Sequence, residues 1–367
     1  MHLTKGRKMK KLLVIAVALA SVNAFATRAR VAALANAPHL VDTQTVYTNP
    51  ADIFGLGDYV TLETGLTTGT TSSNQAEGMV VRTMGDAKMG LSLGHQSANA
   101  STWGLRAGLP APLNINQQNP VEFTYGAKAA DMNWAATLVY SNFNDKVSTV
   151  KETSTGVRLG ARANMWDASL RLGLVNTVQD DVTGKYTGTL GLGGHFGYQM
   201  DTLYWTANVT SVGAKFENTA GVEQAKVATT AFDVGVMTSV KKDGSEMFYG
   251  ASLMNSETKE SVADNKVTST SMPLFIGMEV DAASWLTLRG SVTQTLQLLN
   301  TDKDVTGSAA PTVDSAPGAN DTVVAAGAGL KFNKITVDGT LQGAGATGNQ
   351  QLNGNTLLTT LGMTYNF

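Results

Sequence analysis

The property that most constrains this chain is a period of two. From Asp58 onward, runs of about ten residues alternate apolar and polar side chains, and each run ends in either a tight turn or a longer polar stretch. Successive side chains of a strand point to opposite faces, so each such run carries one apolar and one polar face. In 284–300 the apolar set is Leu286, Leu288, Val292, Leu296 and Leu298, set against Thr287, Arg289, Ser291, Thr293 and Thr295. In 155–175, Val157, Leu159, Ala161, Ala163, Ala168, Leu170, Leu172 and Leu174 oppose Arg158, Arg162, Ser169 and Arg171. A soluble barrel would have to bury those arginines dry, which is costly. With lipid outside and water inside, both faces are matched.

Tight turns are read at Gly85–Asp86, Ala130–Asp131, Met165–Asp167, Met200–Asp201, Lys242–Ser245, Asp281–Ser284 and Asn333–Lys334. Longer polar connections fall near 69–77, 97–119, 145–151, 180–185, 217–224, 260–267, 301–320 and 344–354. The two kinds alternate, as short periplasmic turns and long outer loops do in transmembrane barrels. The fold expected is therefore all-β: a single transmembrane antiparallel β-barrel. It has about sixteen strands, starting near 58, 77, 86, 120, 132, 151, 167, 186, 202, 225, 246, 266, 285, 321, 335 and 355. Fourteen is the alternative count, because the run 77–84 is weakly specified. Trp134, Tyr198, Trp205, Tyr249, Phe332 and Tyr365 share apolar parity near strand ends, where an interfacial girdle lies.

Composition agrees with this reading. With 15% charged residues and 27 basic against 29 acidic, the chain is not a basic nucleic-acid binder. Beyond the amino-terminal leader, no apolar run approaches the roughly 18–20 residues of a membrane helix. The absence of Cys excludes thiolate catalysis and thiolate metal sites. The four histidines, His2, His39, His95 and His195, are scattered, so no metal or cofactor is expected, and His95 and His195 are read on different faces.

Three regions follow. Residues 1–26 read as a signal peptide: Lys5, Arg7, Lys8, Lys10 and Lys11 precede an apolar run from Leu12 to Ala20, and Ala24 and Ala26 are the small residues before cleavage. Residues 27–57 do not alternate and are either a lumenal plug or a periplasmic tail. Residues 58–367 form the barrel. Without the leader, 22 basic residues stand against 29 acidic ones.

Two motifs carry an apparent chemistry. Gly90–Gly94 spells the Gly-x-Ser-x-Gly of a hydrolase elbow, but Ser92 sits inside an alternating run, whereas that elbow is a strained strand-to-helix turn. Gly191–Gly197 is Gly-rich enough to cradle phosphate, but it too lies in a strand, where glycines let another group approach the wall. No catalytic constellation is read, and the protein is not expected to be an enzyme.

What remains is the lumen. Parity places Glu63, Arg82, Lys88, Glu122, Lys128, Arg158, Arg162, Arg171, Asp233, Glu246, Glu279, Arg289 and Asp338 there. Arg158, Arg162 and Arg171 form the best basic patch. Opposed charges would either set a transverse field across an open pore or pair with one another in a filled one. The loop 97–119, with Trp103 and Arg106 at its centre, is the candidate constriction.

The last run, Asn355 to Phe367, puts Leu357, Leu361, Met363, Tyr365 and Phe367 on one face. A closing strand ending in Tyr365 and Phe367 resembles the terminal strand of Gram-negative outer-membrane β-barrels. That resemblance implies recognition of these residues by the barrel assembly machinery and pairing of the last strand with the first. Arg30, Ala33 and Leu34, followed by Asn49-Pro50-Ala51, are similar to the amino-terminal hatch of long-chain fatty-acid transporters. Taken whole, the chain resembles porin-like major outer-membrane proteins of the Bdellovibrio type. The resemblance implies residence in the outer membrane among its lipids and passive diffusion of small hydrophilic solutes, with a homotrimer as the usual assembly. Uptake of a hydrophobic ligand and a structural or adhesive surface role are the alternatives.

Overall fold

Sixteen antiparallel strands close on themselves, each hydrogen-bonded to both neighbours, in a computed structural model that describes residues 27–65, 75–96, 119–147, 149–261, 265–304, 312–316, 321–345 and 360–367. The first half of the ring comprises β1 (Tyr59–Gly65), β2 (Gln75–Met84), β3 (Ala87–Leu93), β4 (Val121–Ala129), β5 (Met132–Asn144), β6 (Lys151–Arg162) and β7 (Trp166–Asp180). Next, β8 (Gly184–Gly188) and β9 (Gly191–Met200) share one position between β7 and β10 (Leu203–Glu217). Then come β11 (Glu223–Lys242), β12 (Ser245–Glu260), β13 (Asn265–Ala283) and β14 (Leu286–Asp304). A short β15 (Thr312–Ala316) pairs with the end of β14 outside the ring. β16 (Asp321–Phe332), β17 (Ile335–Gly345) and β18 (Thr360–Asn366) complete it. Closure is the pairing of β18 with β1, from Tyr59 opposite Asn366 to Gly65 opposite Thr360. A closed ring leaves no unpaired edge, the condition for spanning hydrocarbon with strands.

Strand starts and tight turns agree with the alternation to within a few residues. At the turns, Ala130, Asp201, Asp243 and Asn333 take left-handed backbone angles, which Asp and Asn tolerate best among residues with a side chain. The faces also separate as expected. Leu62, Leu138, Leu159, Leu288 and Leu361 are exposed on the outside, while Thr61, Thr137, Arg158, Thr287 and Arg289 are buried on the inside. The six girdle aromatics are all outward and exposed. Among the described residues, no helix is long and apolar enough to cross a membrane. The chain is thus an outer-membrane β-barrel, with its exterior in lipid.

Leu138 lies midway along β5 and is 57% exposed on that exterior. Leu138→Arg should therefore cost about 2–4 kcal/mol of folding stability in bilayers, the penalty for a cation at hydrocarbon mid-depth. Denaturant titration in liposomes checks this, and an unchanged stability would place Leu138 away from lipid.

Two parity assignments change. Arg82 is outward at the rim, 3.6 Å from Asp58 and 5.1 Å above the Phe367 ring, while its neighbour Val81 points in. Val81 is apolar because it meets an apolar partner inside the barrel, so "apolar means outward" fails there. His95 is the other: Gly94 takes φ +80° and breaks the alternation, turning His95 inward onto Glu77 at 2.8 Å. The leader 1–26 and the loop residues Trp103 and Arg106 lie outside the described residues.

Candidate functional site: the lumen and the segment within it

Residues 27–57 lie inside the ring, because their partners come from strands all around it. The segment holds one short helix, α1 (Arg28–Ala33), and two 3-10 helices, Thr45–Tyr47 and Pro50–Gly55. On one side, the Arg28 backbone N–H donates to Glu63 on β1 (2.6 Å), and its guanidinium donates to Glu77 on β2 (2.7 Å). On the opposite wall, Arg30 donates to Glu279 on β13 (2.8 Å) and to Asp42 (3.1 Å). His39 meets Glu246 on β12 at 3.0 Å. Farther along, Arg162 on β6 donates to Asp52 (2.7 Å), which also accepts from Thr45 (2.5 Å). Most of these wall residues sit near the tight-turn ends of their strands, so the segment fills that end.

Apolar contacts fix the same placement. Val46, Tyr47, Ile53 and Leu56 pack on Tyr59, Met79, Val81 and Ala135. Leu34, Ala37 and Leu40 pack on Tyr204, Met237 and Phe248. Leu34, Val46 and Ile53 are fully buried, and each such side chain contributes about 1.5–3 kcal/mol relative to water. Ordering the segment costs roughly 1–2 kcal/mol per residue, so many such contacts are required.

Glycines in the wall make room for it. A side chain at Gly160 would overlap Asn49 and come within 2.8 Å of the Ala51 N–H and Pro50 Cδ. One at Gly126 would come within 2.7 Å of the Phe54 ring and 2.9 Å of Ile53 Cδ1. Asn49 itself caps the second 3-10 helix, accepting from the Ala51 N–H, with Pro50 at the first helical position, where no N–H is needed.

Apart from Arg82, the charges that parity placed in the lumen face inward. Arg158 is buried, paired with Glu122 and donating to the Tyr47 carbonyl (2.7 Å). Arg289 joins Glu279 and Asp338, each at 2.5 Å, on a side chain 1% exposed. Glu63 receives Arg28. Of the three arginines read as one patch, Arg158 and Arg162 are engaged by the segment, whereas Arg171 and Asp233 line an open cavity. Glu77, Asp42 and Asp52 were not singled out by sequence. Glu77 had a signal: it sits directly opposite Glu63, and two facing carboxylates call for a cation between them.

The cavity, about 380 Å³, lies between Thr48 of the segment and the wall from β7 to β13. Gly193 leaves space for the Arg171 guanidinium, whose Nε and Nη2 would be 3.1 Å from a Cβ there. His195 faces the Asn208 Oδ1 through Nδ1 (2.7 Å) and the Asp167 Oδ1 through Nε2 (3.1 Å). The Asn208 amide nitrogen donates to Asp233, which fixes its oxygen toward His195. Both ring nitrogens therefore face acceptors, an arrangement satisfied by the doubly protonated ring. Asp167 also accepts from Tyr204 (2.6 Å) and, at 3.5 Å, from Asn49 of the segment.

No described protein family matches the sequence, and no curated protein does. Similar solved structures include a monoaromatic hydrocarbon channel, CymD, at 10% identity and TM-score 0.46, covering 95% of this chain and 99% of that one. OmpT of Vibrio cholerae, outer-membrane expressed, is 12% identical at TM-score 0.42, covering 84% and 94%. A porin is 10% identical at TM-score 0.39, covering 84% and 99%.

Proposed function

We propose that the protein is an outer-membrane channel for passive diffusion of small hydrophilic solutes, narrowed at its tight-turn end by residues 27–57 acting as a plug. The observation that carries this reading is the cavity between Thr48 and the wall, whose lining includes hydroxyl, amide and charged residues. A barrel of this strand number is wide enough to hold water once its interior is not filled. An apolar ligand in that cavity would strip Ser, Asn and Asp groups of water without replacing their hydrogen bonds, so hydrophobic uptake is the weaker reading. Ser92, the serine of the hydrolase-like motif, shares a 2.7 Å hydrogen bond with the Tyr47 hydroxyl, which suits a docking role and not a nucleophile.

Liposome swelling with neutral solutes of graded size tests the proposal. Entry rates should fall steadily with solute size. No swelling by any solute, with or without residues 27–57, would refute it.

The plug should respond to pH through Asp42. Burial pushes its carboxyl up to about 7, against the lowering effect of Arg30, with Asp338 adding to the rise. The docked segment therefore binds the proton better than the solvated one. Docking is strongest at acid pH, weakens as pH rises toward about 7, and changes little beyond. Channel openings should accordingly become more frequent between pH 5 and 7, ~2 pH units recorded in planar bilayers, and Asp42→Asn should flatten that dependence. An Asp42→Asn variant with the parent's pH profile would assign the effect elsewhere.

A further inference from the structure

A cation, Arg171, and an anion, Asp233, both line the cavity, with Asn208 and Thr210 on β10 between them and Ser256, Ser269 and Ser271 beyond Asp233. Arg171 lies on β7 and leans over Gly193 of β9. Asp233 stands on β11, two strands farther round, since Gly193 is opposite Thr210 on β10 and Asn208 is opposite Asp233. Ser256 and Ser271 continue the lining onto β12 and β13. Asp233 accepts from Asn208, and among the described residues it has no ion-pair partner. The other charges nearby are engaged: His195 between Asn208 and Asp167, and Asp167 by Arg162 and Tyr204 as well. Asp233 is thus a half-buried carboxylate that lines the cavity. Arg171 presents up to five donors, enough to serve a carboxylate in addition to the contacts that hold it.

We propose that this cavity is a binding site for a small zwitterion such as an α-amino acid, its carboxylate on Arg171 and its ammonium group on Asp233. Two strand spacings and an offset of two residues amount to roughly 12 Å at the wall, less inside its curvature. A zwitterion whose charges are separated by about 3 Å, with a hydrogen bond of about 2.8 Å at each end, spans most of that gap. The cavity volume admits such a solute with a small side chain. An anion alone would leave Asp233 facing it, and a cation alone would face Arg171, so each single charge meets a repulsive end. The inference deepens the channel reading by naming the solute class, but its test does not depend on conductance.

The test is saturation-transfer NMR and calorimetry on the intact barrel in detergent micelles, with alanine, acetate, ethylamine and glycerol as probes. Alanine should bind saturably, roughly tenfold or more tighter than the other three, which corresponds to about 1.4 kcal/mol. Asp233→Asn should lose alanine binding while improving acetate binding, a reversal of preference that misfolding cannot mimic. Arg171→Gln should lose alanine while improving ethylamine. Heat-modifiable gel migration verifies that each variant is folded. Equal binding of all four probes, no binding of alanine, or an Asp233→Asn variant that binds alanine like the parent overturns the inference. A barrel that binds alanine but conducts nothing would instead overturn the channel reading alone.

Discussion

A barrel lacking residues 27–56 should conduct roughly an order of magnitude more current than the full chain, because a closed ring of this size encloses an aqueous bore once its interior is emptied. The segment fills the tight-turn end through ion pairs on β2, β6 and β13 and through two apolar clusters. Its removal would expose Glu63, Glu77, Arg158 and Glu279 to water, where charged groups are well solvated. The wall, closed by β18 on β1, has its own hydrogen bonds and should persist. Single-channel recordings in planar bilayers measure the change. An unchanged conductance would mean that the segment does not obstruct the path.

The second large effect is expected from one methyl-bearing side chain. Gly160→Val would place Cβ against Asn49, Pro50 and the Ala51 N–H, all backbone or short rigid groups that cannot swing aside. The Asn-Pro-Ala turn would have to leave its seat, and the Arg162 contact to Asp52 and the Arg158 contact to the Tyr47 carbonyl would go with it. Valine is at home in a strand, so the barrel itself should tolerate the change. Conductance should rise toward that of the deleted barrel, and protease should cleave within 27–57 while sparing the wall. Gly126→Val, against Phe54 and Ile53, should act in the same direction but less, because a ring and a flexible side chain can shift. If Gly160→Val conducts like the parent and keeps the segment protected, the notch does not seat the plug.

The ring was legible in the chain because lipid enforces a strict rule on every outward position. Sixteen starts, the tight turns and the outward aromatics all follow from alternation plus turn residues. The same rule failed where the inside is not water. Val81, Met79, Tyr59, Phe248 and Tyr204 are apolar or aromatic and inward because they pack on the segment, and Arg82 was assigned to the wrong face in consequence. His95 was misplaced by one left-handed glycine, which a count of two cannot register.

Parity placed most of the inward charges on the right face, Arg82 excepted, but it could not supply their partners. Arg30 with Glu279, and Arg158 with the Tyr47 carbonyl, join residues more than a hundred positions apart, and no local period encodes such a meeting. Asn49-Pro50-Ala51 was visible as a turn, while its seat at Gly160 was one glycine among 38. His195 was read as lumenal without a partner. Its partners Asn208 and Asp167 come from the strands on either side, and only the register of β7, β9 and β10 brings them together.

The most direct test uses the absence of native cysteine, which makes any introduced pair unique. A Cβ at Gly327 would lie 2.7 Å from that of Ala33, close to the roughly 3.5–4.5 Å of a disulfide and reachable by a small shift. Ala33→Cys with Gly327→Cys should cross-link in native membranes, hold the channel at low conductance under conditions that favour opening, and release it on reduction. A folded barrel in which these two thiols never join would contradict the placement of the amino-terminal segment inside the ring.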